Sequence, residues 1–125
     1  MEAYFDNSAT TRVFDSVRDI VVKTMTEDYG NPSAKHRKGM EAERYVRQAA
    51  ADIAKTLKVR DKEILFTSGG TESDNLALKG IFWARRAEDP RRTRILSTAI
   101  EHHAVLDPLV WLADVEDAEV ELLPV

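Results

Sequence analysis

The architecture of this chain can be read outward from one stretch, Ile64-Leu65-Phe66-Thr67-Ser68-Gly69-Gly70-Thr71-Glu72-Ser73-Asp74. The apolar run at residues 63–67 is too short for a helix and ends abruptly at the two glycines, so it predicts a buried strand. Helical spacing resumes at Thr71 and continues to about Arg86, with apolar positions at Leu76, Leu78, Ile81 and Phe82. Thr71 and Asp74 have capping-box spacing. The stretch therefore predicts a strand, a tight turn and the start of a helix.

Two further strands are predicted downstream, at residues 95–98 and 120–123, with a helix from residue 104 to about 113 between them. Alternating strands and helices joined by short turns are typical of a parallel sheet with right-handed crossovers. Ligands of such sheets bind beyond the carboxyl ends of the strands. The sequence thus predicts an α/β fold whose binding edge contains Ser68-Gly69-Gly70-Thr71 and Glu101-His102-His103.

Two helices are predicted before the first strand. Asp15 and Ser16 are candidate N-caps of the first helix, which the residues Tyr29-Gly30-Asn31-Pro32 would end. The second helix is predicted from about residue 38 to residue 58, because apolar residues recur at helical spacing there.

The diglycine turn has the chemistry of a phosphate site. Glycines let a ligand approach the backbone, and the unpaired N–H groups of a helix's first turn attract anions. The turn is neither a Walker A loop nor a G-x-G-x-x-G motif. An ordinary tight turn before a helix explains the same residues equally well. Glu72 would repel a phosphate unless its side chain points away.

The adjacent histidines follow the second strand, so an imidazole is expected at the same edge of the sheet. His102 or His103 could stack on a planar ligand or transfer protons, although adjacent residues of an extended chain point to opposite sides. Two surface histidines at a helix start are the alternative interpretation. A metal site is disfavoured because only His36, from a distant segment, could add a third imidazole.

Composition excludes several classes of function. The chain has 125 residues, a net charge of −4 and no cysteine, so it cannot itself form a disulfide, a thiolate metal site or a cysteine nucleophile. One basic cluster is expected to be a solvated face rather than a nucleic-acid site, because the chain is acidic overall: Arg85, Arg86, Arg91, Arg92 and Arg94. The aromatic residues Phe66, Phe82, Trp83 and Trp111 are expected to serve packing.

The chain shows neither a signal peptide nor an apolar run of membrane-spanning length. We therefore expect a cytoplasmic protein without a membrane partner.

Four separated stretches resemble one family. They are Tyr4-Phe5-Asp6-Asn7-Ser8-Ala9-Thr10-Thr11, Tyr29-Gly30-Asn31-Pro32-Ser33-Ala34-Lys35-His36, Phe66-Thr67-Ser68-Gly69-Gly70-Thr71-Glu72-Ser73-Asp74-Asn75-Leu76-Ala77 and Glu101-His102-His103-Ala104-Val105-Leu106. In this order they are similar to the N-terminal part of cysteine desulfurases of the NifS/IscS type, which are pyridoxal 5'-phosphate (PLP) enzymes of the class V aminotransferase family.

The resemblance implies a fold and a set of roles. It implies the N-terminal portion of a large PLP-binding domain, a partial three-layer sandwich with a parallel sheet, at residues 15–125, preceded by an entrance segment at residues 1–14. Gly70 and Thr71 would bind the cofactor phosphate, and His102 would stack on the pyridine ring and transfer protons. The substrate entrance, partly across a dimer interface, would include Asn7, Ser8, Ala9, Thr10, Asn31 and His36. His103 has no role in the family.

Two functional groups of the family are not found in the four matching stretches, and this bears on the expected activity. The lysine that binds the cofactor covalently and the nucleophilic cysteine lie outside the matching stretches, so residues 1–125 alone are expected to be inactive. The resemblance implies L-cysteine as substrate, a sulfur-accepting protein as partner, and a homodimer or a complementing C-terminal polypeptide. A non-catalytic fragment that binds a full-length desulfurase, or another class V enzyme such as a selenocysteine lyase, remains an alternative.

Overall fold

The computed structural model describes residues 3–125, which form two compact units. The first unit ends at Leu65 and the second comprises Phe66–Val125. The boundary after residue 14 that the family resemblance implies stays a prediction.

The first unit contains two helices, α1 at Asp15–Thr26 and α2 at Arg37–Leu57, followed by a short 3-10 helix at Asp61–Glu63. The expected N-cap of α1 is wrong: Phe14 occupies that position and contributes no side-chain cap. Asp15 instead lies in the first turn, where it pairs with Arg18 at 3.0 Å. An acid in the first turn stabilises the helix dipole, so the residue still favours the helix start.

The loop between α1 and α2 packs tightly against the first turn of α2. A Cβ atom on Gly39 would lie 2.1 Å from the carbonyl oxygen of Ala34, and one on Gly30 would lie 2.0 Å from the carbonyl oxygen of Lys38. The Tyr45 hydroxyl donates a 2.6 Å hydrogen bond to Asp28. This bond holds the pKa of the Asp28 carboxyl below its ordinary value. Close backbone packing therefore makes glycine necessary at both positions.

The second unit is a strand–helix–strand arrangement preceded by a long helix. Its elements are α3 at Gly70–Glu88, β1 at Arg94–Thr98, α4 at His103–Glu116 and β2 at Glu119–Leu123. The two strands are parallel and in register, with Ile95 opposite Val120. The predicted α/β class with a parallel sheet is confirmed.

The core of the second unit lies where α3, α4 and the sheet meet. Phe82, Leu112 and Ala118 are buried there, and Ile95 and Val120 pack against them. Because Phe82 comes from α3 and Leu112 from α4, this core fixes the two helices against the same sheet.

The predicted strand at residues 63–67 is wrong. Glu63 ends the 3-10 helix, and residues 64–67 belong to neither a helix nor a strand. A strand is defined by hydrogen bonds to a neighbour, and within residues 3–125 the sheet contains only β1 and β2. The apolar run therefore lacks the pairing partner that its composition suits.

The arginine cluster is paired with acids throughout. Arg85 and Arg92 contact Glu88, Arg91 contacts Asp89, Arg86 contacts Glu116 and Arg94 contacts Glu121. These pairs offset most of the positive charge that the sequence concentrates there.

No helix in the described part of the chain is long and apolar enough to cross a bilayer.

We predict opposite effects from alanine at two helix glycines. Gly39→Ala should lower the free energy of unfolding by about 1–3 kcal/mol, because the added methyl group must displace the backbone of the preceding loop. Gly80→Ala is the matched control in α3, where no atom lies within 4 Å of the added Cβ. It should raise stability by about 0.5–1 kcal/mol through helix propensity. Urea denaturation followed by circular dichroism checks both values, and equal effects would contradict the packing account.

Candidate active site

The turn before α3 is held by two side-chain contacts that cross the diglycine. The Ser68 N–H and hydroxyl both donate to Oε2 of Glu72, at 2.7 and 2.6 Å. The hydroxyl groups of Thr67 and Ser73 are 2.6 Å apart. The expected capping box of Thr71 and Asp74 is wrong, since Gly69 is the N-cap and has no side-chain cap. The helix starts one residue earlier than the prediction and its first turn is tied to the preceding segment instead.

The diglycine is open on its outer side. No atom lies within 4 Å of a Cβ built on Gly69 or Gly70, and neither residue has a left-handed backbone. The first backbone hydrogen bond of α3 runs from the Ser73 N–H to the Gly69 carbonyl, at 3.1 Å. The N–H groups of Gly70, Thr71 and Glu72 precede that bond and have no intrahelical acceptor. Open space beside unpaired N–H groups at a helix N-terminus suits an anion such as phosphate.

The Glu72 carboxylate is engaged by Ser68 through the two hydrogen bonds described above. The hydrogen bonds from the Ser68 hydroxyl and N–H lower the pKa of the Glu72 carboxyl below its ordinary value. The group is therefore ionised at neutral pH, with one oxygen already occupied.

His102 is the N-cap of α4. Its Nδ1 accepts a 3.0 Å hydrogen bond from the backbone N–H of Ala104. Because Nδ1 is an acceptor, the proton of the neutral ring is on Nε2. His36 caps α2 in the same way, accepting from the Gly39 N–H at 3.3 Å. Capping fixes the His102 ring and leaves Nε2–H as its available polar group.

Thr71 and His102 line one cavity of about 400 Å³. This size falls within the range of small-molecule sites. The other lining residues are Asn75, Lys79, His103, Ala104, Asp107, Pro108 and Trp111. The structure therefore brings Thr71 and His102 to one cavity, whereas Gly69 and Gly70 do not line it and the strand expected before Thr71 does not form.

Comparison with known proteins gives the family. The sequence pattern of the family described as Aminotransferase class-V matches residues 3–125. The chain belongs to this family.

Individual relatives of this chain are named as cysteine desulfurases. An IscS-like cysteine desulfurase of Mycobacterium tuberculosis (strain ATCC 25618 / H37Rv) is 46% identical over 122 residues, which are 98% of this chain and 31% of that protein. Cysteine desulfurase IscS of Methanosarcina thermophila is 43% identical over 122 residues, 98% of this chain and 29% of that protein. The chain spans about a third of the length of the relatives it matches.

Solved structures give the same fold. A NifS-like protein superposes with a TM-score of 0.85 at 40% identity, covering 100% of this chain and 33% of that one. A structure of SspA in complex with cysteine superposes with a TM-score of 0.83 at 34% identity, covering 96% of this chain and 33% of that one. The second unit therefore has the fold of the N-terminal part of NifS-like class V proteins.

Four residues that line the cavity with Thr71 and His102 were not predicted as site residues: Asn75, Lys79, Asp107 and Trp111. The Lys79 ammonium lies 4.4 Å above the centroid of the Trp111 ring, and Trp83 meets that ring edge-on at 6.3 Å. Trp111 therefore forms part of the cavity wall in addition to packing. Four-residue spacing was the signal available, because it runs from Thr71 along α3 and from His103 along α4.

The predicted entrance residues lie in the first unit and make local contacts there. Asn7 Oδ1 accepts from the Thr11 hydroxyl at 2.7 Å, and Asn31 Oδ1 accepts from the Ser33 N–H at 2.9 Å. Ser8, Ala9 and Thr10 follow Asp6, whose carbonyl accepts from the N–H groups of Ala9 and Thr10. Their role at a substrate entrance, and that of His36, stays a prediction.

We predict that the neutral His102 ring is protonated at Nε2. Nitrogen-15 NMR of the imidazoles should give the Nε2–H tautomer for His102, because the Ala104 N–H occupies Nδ1. His103 provides an internal comparison, since its exposed side chain has no backbone donor on Nδ1 within residues 3–125 and lies 3.7 Å from the Asp107 carboxylate. Detection of the Nδ1–H tautomer at His102 would contradict the capping arrangement.

Proposed function

We propose that this chain is the N-terminal part of a PLP-dependent cysteine desulfurase. The complete enzyme converts L-cysteine and a protein thiol into L-alanine and a protein persulfide, for iron–sulfur cluster assembly or thiolation. One observation carries the proposal: Thr71 at the start of α3 and His102 at the start of α4 line the same cavity. The names of the relatives, and the cysteine bound by SspA, support the choice of reaction and substrate.

The residues of the turn fit the phosphate of PLP. The N–H groups of Gly70 and Thr71 are the donors that a phosphate at a helix N-terminus accepts from, and the Thr71 hydroxyl adds another. The positive end of the α3 dipole favours the dianion. Gly70 leaves room for the phosphate because its Cα carries no side chain and no atom lies within 4 Å on that side.

His102 fits the pyridine ring at the other end of the group. A planar imidazole held by its Nδ1 bond presents a fixed face to an aromatic ring. PLP, when bound, supplies the electron sink that makes proton removal from an amino acid possible. A proton that His102 donates or accepts passes through Nε2, because Nδ1 is engaged by Ala104.

Other parts of the polypeptide complete the site in this proposal. Residues 1–125 contain no cysteine, so the thiol that receives the sulfur is supplied from outside them. We place the lysine that holds PLP there as well, so this segment alone releases no alanine. A homodimer or a complementing C-terminal polypeptide, a sulfur-accepting protein and a cytoplasmic location belong to the same proposal.

We predict that the full-length polypeptide carrying this segment releases alanine from L-cysteine in the presence of PLP and a thiol acceptor. His102→Ala should lower the rate by about 10²-fold or more, the range typical of a lost acid–base group. His103→Ala is the comparison at the exposed edge of the same cavity. It should cost far less, because the His103 side chain is 86% exposed and pairs with Asp107. Alanine release is measured by amino-acid analysis.

Three outcomes would contradict the desulfurase proposal. A folded, PLP-loaded polypeptide that releases no alanine excludes the reaction, and faster release from L-selenocysteine than from L-cysteine favours a selenocysteine lyase. Tight binding to an intact desulfurase without PLP uptake favours the non-catalytic alternative. The same assay on residues 1–125 alone should give no alanine.

A further inference from the structure

The Ser68–Glu72 contact has a geometry that simple helix capping does not require. Two donors of one residue, the Ser68 N–H and hydroxyl, converge on a single carboxylate oxygen of Glu72. Gly69 and Gly70 lie between these partners, so the contact closes a loop around the diglycine. The pairing of the Thr67 and Ser73 hydroxyls closes a second loop around the same two residues.

The diglycine is held by hydrogen bonds rather than by packing on its open side. A Cβ on either glycine would contact nothing within 4 Å, so no packing from that side orders the turn. Glycine has more backbone freedom than any other residue, and consecutive glycines adopt many conformations unless neighbouring groups restrain them. The restraints on the turn are hydrogen bonds: the Ser68–Glu72 and Thr67–Ser73 contacts across it, and the bonds that the Gly69 carbonyl accepts from the Thr67 hydroxyl at 3.2 Å and the Ser73 N–H at 3.1 Å.

We propose that Glu72 is a positioning residue of the phosphate site, which keeps the diglycine turn in the conformation that presents the Gly70 and Thr71 N–H groups to phosphate. The inference rests on the proposed function for the identity of the phosphate ligand. It assigns Glu72 a role opposite to the one its charge suggests, because a carboxylate in the first turn otherwise repels a phosphate. The lowered pKa of Glu72 keeps it a strong acceptor for both Ser68 donors at neutral pH.

The charge of Glu72 and its hydrogen bonds to Ser68 are expected to change phosphate affinity in opposite directions, which makes the inference testable. If Glu72 acts through charge alone, Glu72→Ala and Glu72→Gln both strengthen phosphate binding. If Glu72 acts through its hydrogen bonds to Ser68, Glu72→Ala weakens phosphate binding because the turn is no longer held in one conformation. Glu72→Gln preserves phosphate binding, because an amide oxygen still accepts from both Ser68 donors.

The experiment compares PLP with pyridoxal, which lacks the phosphate, in the cofactor-free full-length polypeptide. Absorbance titrations give the affinity for each compound, and their ratio isolates the phosphate contribution. Glu72→Ala should lower that ratio about tenfold or more, as expected when two glycines regain backbone freedom. Glu72→Gln should keep the ratio within about threefold of the parent value. Glu88→Ala is the matched control at the far end of α3 and should leave the ratio unchanged.

The readouts separate this inference from loss of folding and from failure of the proposed function. Unchanged pyridoxal affinity in Glu72→Ala shows that the ring site is intact. Ser68→Ala removes only the hydroxyl donor and should lower the ratio in the same direction by less. An unchanged or raised ratio in Glu72→Ala would overturn the inference.

If the unsubstituted polypeptide binds no PLP, the proposed function fails, and inorganic phosphate then becomes the probe. Amide chemical shifts at Gly70 and Thr71 report its affinity. Weaker phosphate binding in Glu72→Ala supports the positioning role of Glu72, and equal or tighter phosphate binding overturns it.

Discussion

The hydrogen bonds from Ser68 to Glu72 constrain the turn on which the candidate site depends. They fix the path of the chain through Gly69 and Gly70 into α3. That path determines where the first-turn N–H groups point, and these groups give a helix N-terminus its affinity for anions. The same contact engages one oxygen of the Glu72 carboxylate.

The remainder of the second unit places a second functional group beside this turn. Parallel pairing of β1 and β2 requires α4 as the crossover between them, and burial of Phe82 and Leu112 packs α3 and α4 into one core. His102 precedes α4 and is locked by its bond to the Ala104 N–H. Thr71 in the first turn of α3 and His102, the N-cap of α4, therefore line one cavity.

Much of this arrangement could be predicted from the sequence, because it follows from local pattern. Apolar spacing predicts the helices, and the rule that ligands bind beyond parallel strand ends applies to His102, which follows β1. Thr71 lines the same cavity although no strand precedes it. The strand predicted at residues 63–67 failed because strand formation depends on a partner that local composition does not specify. The hydrogen bonds from Ser68 to Glu72 were not predicted, because Thr71 and Asp74 have the spacing of the more common capping box. Asn75, Lys79 and Trp111 were missed because their contribution depends on how α3 and α4 pack.

The most direct test of the central claim is a titration of the isotopically labelled full-length polypeptide with PLP, followed by NMR. The account predicts that the amide signals of Gly70 and Thr71 and the imidazole signals of His102 change together, with one affinity. Changes at only one of these two places, or their absence while PLP binds elsewhere, would contradict the claim that the α3 turn and His102 hold one phosphorylated aromatic ligand.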